Sequence, residues 1–254
     1  MENKNGQGIF LGVVGVATLV VAIIGATFAF FSAQAQSGAN DLKGGTLDIA
    51  SSTLKLEVKR VKFTDAASNN ENLVPADFGA SVDSTKGNSA TATGIGYALS
   101  HKCQTGSYTG CHVYRISAIA GDDLADVSLN LTTLTVTTAA GDGTKTDWKY
   151  ALFTASETAT GEGSAATYAL SSPALVNVTN AQGAFDLPAS VNMHTAGTLT
   201  KDQEQVYYLI VYLNNETSSQ NTPSDANNGT GTYQGSVTLK VGQGEVNATF
   251  TSAA

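Results

Sequence analysis

An uninterrupted apolar run, IFLGVVGVATLVVAIIGATFAFF from Ile9 to Phe31, constrains this chain more than any other feature. It contains no charge, no Asn, no Gln and no Pro. Coiled into a helix, a run of that length spans the hydrocarbon core of a bilayer, which needs roughly 20 apolar residues. A helix that is apolar on every face does not suit the surface of a soluble core. The run also exceeds the usual signal-peptide core of about 7–15 residues. Ahead of it, in MENKNGQG, Glu2 and Lys4 cancel. The α-amino group then supplies the net positive charge, and nothing at the far end opposes an N-terminus-inside orientation.

Three fates fit such a helix. In the first, residues 1–29 are a removed signal peptide, with Thr27 and Ala29 as the small residues before a cut between Ala29 and Phe30. In the second the helix is retained as a membrane anchor. In the third it is a pilin-type helix, processed near Gly6 or Gly8 and buried in a filament core. The early glutamate usual in bacterial type IV pilins is missing from this run.

From Phe30 onward, alternation with period two dominates, which reads as strands. Phe31, Ala33 and Ala35 share one face of FFSAQAQSG. Leu54, Leu56 and Val58 alternate with Lys55, Glu57 and Lys59, after which the apolar parity switches to Val61 and Phe63. That switch predicts a bulge near Lys59-Arg60. DVSLNLTTLTVTT makes the same switch, from Val127, Leu129 and Leu131 to Leu134 and Val136. YALSHKC, YQGSVTLKV and EVNATF add further amphipathic strands. QVYYLIVYL, from Gln205 to Leu213, is apolar on both faces and belongs in the middle of a sheet. Thr64 to Gly94 and Asn214 to Thr230, rich in Asn, Ser, Thr, Gly and Asp, read as surface loops. Many short strands between turn signals predict an all-β sandwich or barrel over residues 30–254, preceded by one N-terminal hydrophobic helix.

Charged residues make up 13% of the chain, about half the roughly 25% of an average soluble domain, and small hydroxyl and amide side chains take their place. That composition is typical of exported β-proteins. The net charge of −8 offers no basic field for phosphates, so nucleic acid is an unsuitable partner. The only cysteines, Cys103 and Cys111, lie too far apart for a redox C-x-x-C pair, and no second cysteine pair completes a zinc site. Between them, Gln-Thr-Gly-Ser-Tyr-Thr-Gly is turn-like. In an oxidising compartment the two read as a disulfide across a hairpin.

The join ATFAFFSAQAQSGANDLKGGTLDIA, Ala26 to Ala50, resembles the N-terminal region of TasA/camelysin-like proteins. The matching parts are Thr27-Phe28-Ala29 ending the export helix, Phe30-Phe31 just after it, and Gly45-Thr46-Leu47-Asp48-Ile49 downstream. The resemblance implies a jelly-roll-like β-sandwich exported through a signal peptide that a SipW-type signal peptidase removes. It also implies extracellular fibres of a biofilm matrix, built by donor-strand exchange between copies. Residues 30–45 then hold the donor strand, with Phe30, Phe31, Ala33 and Ala35 its candidate residues, and a glycine-bearing linker.

Camelysin-like proteins have been regarded as metalloproteases, a chemistry that needs metal ligands and a general base at fixed spacing. The histidines are His101, His112 and His194, and no H-E-x-x-H exists to place two ligands and a base on one helix face. His101 and His112 flank the cysteines and read as exposed strand histidines rather than ligands. Gly161 to Ala165 is not a G-x-S-x-G elbow, and the acidic run Gly121 to Asp126 lacks the spacing of a calcium loop. Sequons at Asn130, Asn177, Asn215, Asn228 and Asn247 match the number that an Asn/Thr-rich chain produces by chance.

No catalytic residue, cofactor or metal is therefore expected. The expected role is a structural subunit at the cell surface or outside the cell, partnered by copies of itself and touching membrane only through its N-terminal helix. The alternative is a membrane-anchored adhesin or binding module. The chain ends without a sortase-type L-P-x-T-G or a second apolar span, so surface attachment is expected from the N-terminal helix or from assembly.

Overall fold

A computed structural model describes residues 45–49, 52–63, 73–76, 92–105, 108–137, 147–160, 167–187, 189–214, 232–242 and 244–252. These residues form an all-β sandwich. One sheet has seven strands: β1 (Gly45–Ile49), β2 (Ser52–Arg60), β5 (Cys111–Ala120), β13 (Gln205–Leu213) and β8 (Trp148–Thr160), with β9 (Thr167–Leu175) and β10 (Gln182–Ala184) both pairing with β8. The other sheet runs β11 (Val191–Asn192), β7 (Val127–Thr137), β14 (Thr232–Val241), β15 (Gly244–Thr251). Two-stranded ribbons pair β3 (Gln104–Thr105) with β4 (Tyr108–Thr109), and β6 (Leu124–Ala125) with β12 (Thr198–Leu199).

Alternation fills the space between the sheets. Leu54, Leu56 and Val58 of β2, with Leu209, Val211 and Leu213 of β13, face Leu129, Leu131, Val237 and Leu239 of the smaller sheet in one buried cluster. An aromatic group of Tyr114, Trp148, Phe185, Tyr233 and Phe250 lies in the same cluster. Each such side chain contributes roughly 1.5–3 kcal/mol on burial, and that sum sets the register of both sheets. β13 lies between β5 and β8, as a strand apolar on both faces must. Its other face, with Tyr208, Ile210 and Tyr212, packs into a second cluster on the outside of the larger sheet.

The two parity switches have different causes. In β7 the switch is a true bulge: Leu131 pairs with Val237 but Thr133 pairs with Ser236, so Thr132 is extra and Leu134 and Val136 stay on the core side. In β2 the expected bulge is absent. The register with β5 is unbroken from Leu54↔Ala120 to Arg60↔Tyr114, and the Val61 N–H continues it by donating to the Val113 carbonyl at 2.7 Å. Val61 and Phe63 share the outer face with Lys55, Glu57 and Lys59. They are apolar because that face is covered at their end, where they join the second cluster.

The cover includes a helix, α1 (Ala92–Ser100), where alternation in YALSHKC predicts a strand. Ile95, Ala98 and Leu99 supply a buried stripe at helical spacing, while Tyr97 is exposed. The helix ends in a Schellman motif, with Cys103 N–H donating to the Ala98 carbonyl at 2.8 Å and Lys102 N–H to that of Leu99 at 3.0 Å. Lys102 sits at the left-handed position (φ 53°) that glycine usually fills. Part of the expected Thr64–Gly94 loop is also packed: Leu73 and Ala76 are buried, and the Ala76 N–H donates to the Leu213 carbonyl at 2.9 Å.

Candidate assembly interface

In an all-β domain the groups able to recognise another strand are the unpaired N–H and C=O groups along sheet edges. The β7 edge is covered by the chain from Phe185 to Leu199: Asp186 N–H donates to Leu134, Met193 N–H to Leu129, and Val127 N–H to Gly197. The β9–β10 edge is broken by Pro173 and by a register shift between Thr154 and Ser156. Both features deter pairing.

β15 differs. It pairs with β14 in an unbroken register from Gly244↔Val241 to Thr251↔Gln234, and no described strand is hydrogen-bonded to its other edge. Gly244–Thr251 reads GEVNATFT, with no proline and with Glu245 its one charged residue. Val246, Ala248 and Phe250 point into the core, whereas Asn247 receives a 2.5 Å hydrogen bond from the Thr238 hydroxyl on the outer face. β15 also lies against β1 and β2 of the larger sheet. The first described strand after the N-terminal segment thus emerges beside this edge.

The candidate donor residues Phe30, Phe31, Ala33 and Ala35, and the cleavage pair Ala29 and Phe30, lie outside the described residues. Cys103 and Cys111 are joined in a disulfide, with Cα atoms 5.0 Å apart. It bridges the end of α1 and the start of β5 around the β3–β4 hairpin, where the Gly110 N–H donates to the Cys103 carbonyl at 2.7 Å. Both cysteines are fully buried.

The histidines separate. His101 is exposed, but on the turn after α1 rather than on a strand. Its Nδ1 lies 2.9 Å from the Tyr97 carbonyl, and its ring stacks on Tyr97. His112 corrects the exposed-strand expectation: it is buried on the core side of β5, with Nδ1 2.5 Å from the Tyr233 hydroxyl, which lies 2.7 Å from that of Tyr114. His194 is buried too, its Nε2 donating to the Thr198 carbonyl at 2.7 Å, with Nδ1 accepting from the Tyr207 hydroxyl at 3.0 Å. Asp123 of the acidic run is a turn cap, accepting from the Lys201 N–H at 2.8 Å. Of the sequons, Asn130 and Asn247 sit within strands β7 and β15, and Asn177 lies on the exposed turn between β9 and β10.

A charged cluster that the sequence does not announce lies on the outer face of the larger sheet. Arg115 of β5 forks between two carboxylates, donating through Nε and Nη2 to Glu157 and through Nη1 and Nη2 to Glu204, each at 2.8 Å. The Tyr208 hydroxyl also donates to Glu157, and the guanidinium lies 5.8 Å from the Tyr168 ring centre. Hydrogen bonds from Arg115 hold both glutamates below the usual carboxylate range, against the opposing effect of burial. Burial, then the bond to Glu157, raises the Tyr208 phenol. Beyond the register shift, the β8–β9 hairpin reaches across this face until Thr167 bridges Lys62, with Tyr168 N–H donating to the Lys62 carbonyl at 3.3 Å.

Comparison with known protein families and with curated proteins returned no match for this chain.

Proposed function

We propose that this protein is a structural subunit of an extracellular fibre or matrix, with a jelly-roll-type sandwich, assembling by donor-strand exchange. In this reading Phe30–Gln36 of one copy adds to β15 of the next. The observation that carries the reading is β15 itself: eight residues in one unbroken register, free of proline and bulge, and carrying one charge along an edge to which no described strand is hydrogen-bonded. Natural sheets guard such edges with lysines, prolines and bulges, so an unguarded one suits a strand that is meant to be completed. The seven residues of Phe30–Gln36 are one short of its length, and Phe31, Ala33 and Ala35 would extend its apolar face. A buried disulfide fits an oxidising compartment outside the cytoplasm. The N-terminal helix serves export, and the chain carries no catalytic role.

The test is deletion of Phe30–Gln36 from the exported form. The expected product is a folded monomer that does not polymerise by itself and that, mixed with full subunits, caps their fibres, because it can accept a donor strand but has none to give. Normal fibres from the deletion would reject the exchange. A globally unfolded product would mean that the segment pairs within its own subunit.

A further inference from the structure

The outer half of the β8–β9 hairpin, Ser156–Thr160 with Thr167–Ser171, is an arm laid over the larger sheet. β8 pairs with β13 only as far as Phe153↔Tyr208. From Ser156↔Ser171 to Thr160↔Thr167 the two strands pair with each other and, among the described residues, with nothing else but Lys62. A two-stranded hairpin alone is marginal in water, so contacts with the sheet beneath must fix its place. We infer that this arm is an acid-released strap: the fork of Arg115 onto Glu157 and Glu204 fastens it across the sheet, and protonation of those carboxylates frees it while the sandwich stays folded. The inference is independent of how copies of the chain assemble.

The base of the arm is built to bend. Pairing skips from Thr154↔Ala174 to Ser156↔Ser171, leaving Ala155 opposite both Ser172 and Pro173. Ser172 is a non-glycine residue in the left-handed region, at φ 51°, and Pro173 has no N–H to give the ladder. Behind this break the hairpin is anchored, because α1 packs on β9: a Cβ on Gly96 would stand 3.6 Å from Cγ of Pro173. Beyond it the holds are few. Leu170 is buried in the second cluster, Tyr168 lies half-buried against it, and the Tyr168 N–H reaches the Lys62 carbonyl over a long 3.3 Å. Thr158, Ala159, Thr160, Ala169 and Ser171 are exposed. What remains is Glu157, the one charged residue among the described residues of the arm.

Every contact of Glu157 needs its charge. Both of its oxygens accept from Arg115, and Oε2 also accepts from the Tyr208 hydroxyl. A protonated carboxyl would turn its own O–H toward one of these donors. Glu204 holds the other side of the guanidinium in the same bidentate way. Neighbouring ionisable groups offer no second fastening. Lys59, the register partner of Arg115, holds Glu57, and Lys62 points to solvent. Tyr168 lies against the guanidinium, and the titratable side chain of α1 is the exposed Tyr97. Hydrogen bonds from Arg115 keep both glutamates below their ordinary range. The fastening is therefore complete above that range, about 4.3, and is lost as pH falls below it.

Hydrogen exchange of the full chain in detergent, read by mass spectrometry from pH 6 to pH 3.5 and corrected for the intrinsic pH dependence of exchange, tests this. Protection of the arm should fall about tenfold, the change that one proton taken up over one pH unit allows, while β14 and β15 keep theirs. Arg115→Ala should show the loosened arm already at pH 6. Glu157→Gln, which keeps the Glu204 fork and an acceptor for Tyr208, should lose most of the arm's response to acid. The inference is overturned if the arm stays protected down to pH 3.5, or if the arm and β14 lose protection together. It is also overturned if the arm of Arg115→Ala is protected like the parent's at pH 6, or if the arm of Glu157→Gln responds to acid as the parent's does.

Discussion

The ring of Phe250 on β15 covers the α-carbon of Gly235 on β14, its register partner: a Cβ on Gly235 would stand 2.2 Å from the ring Cζ. Phe250 cannot retreat, because it is buried and its ring centre lies 4.5 Å from that of Tyr114. Gly235→Ala should therefore destabilise the domain by about 1–3 kcal/mol through overpacking, and Gly235→Val by more. Thermal unfolding of the two variants checks this. An alanine variant as stable as the parent would show that the ring has room to move.

The disulfide closes a short loop, so it should contribute about 2–3 kcal/mol by restricting the unfolded chain. Cys103→Ser with Cys111→Ser should lower the melting temperature accordingly. Peptide mapping of the exported protein without reduction should recover the linked pair, and two freely alkylated thiols would reject it.

Ile210 is fully buried between its register partners Val113 and Ala151, on the outer face of the central strand. Ile210→Asp places a carboxylate there with no cation opposite it. We expect a loss of about 4 kcal/mol or more and little folded protein on export. A variant melting within a few degrees of the parent would contradict the tight packing of the second cluster.

Much of this architecture was legible in the residues because burial enforces period two wherever one face of a strand is covered. β7, β14 and β15 follow from that rule directly, and β13 from its complement, being covered on both faces and apolar on both. It failed at β2, where Val61 and Phe63 imitate a bulge: alternation records which face is buried, and cannot tell a slipped strand from a newly covered outer face. It failed again at α1. Ala92–Ser100 contains two glycines and a threonine, a composition of poor helix propensity, so packing on the sheet and the disulfide decide its conformation. His112 looked exposed because a polar residue between two apolar ones reads as outward, whereas its partners Tyr233 and Tyr114 come from elsewhere in the chain or the strand. The candidate edge was half legible. The residues announce a short strand with a single charge, and its place at the end of a sheet is a matter of long-range pairing order.

Arg115 should make the fold acid-sensitive. Its guanidinium is almost buried and bonds both Glu157 and Glu204, whose side chains retain 28% and 36% exposure. Both glutamates titrate lower in the folded chain than in the unfolded one, chiefly through their hydrogen bonds to Arg115. A lowered folded-state value means the unfolded chain takes up protons first as pH falls. The stabilisation is thus complete above the ordinary glutamate range of about 4.3 and is lost progressively below it. The melting temperature should hold steady from neutral pH to about pH 5 and then drop. Arg115→Ala removes the shared partner and leaves two carboxylates facing each other, costing about 2–3 kcal/mol at neutral pH once partial exposure is allowed for. That variant should also lose less stability on acidification than the parent, because protonation now relieves repulsion instead of breaking bonds. Glu157→Gln should blunt the acid transition more mildly, keeping the Glu204 fork and a hydrogen-bonding group for Tyr208. Melting curves of the three proteins between pH 7 and pH 3 decide the matter. If the Arg115→Ala curve runs parallel to the parent over that whole range, the network contributes nothing to acid stability, and the β8–β9 hairpin is held across the sheet by its backbone bridge to Lys62 and its apolar contacts alone.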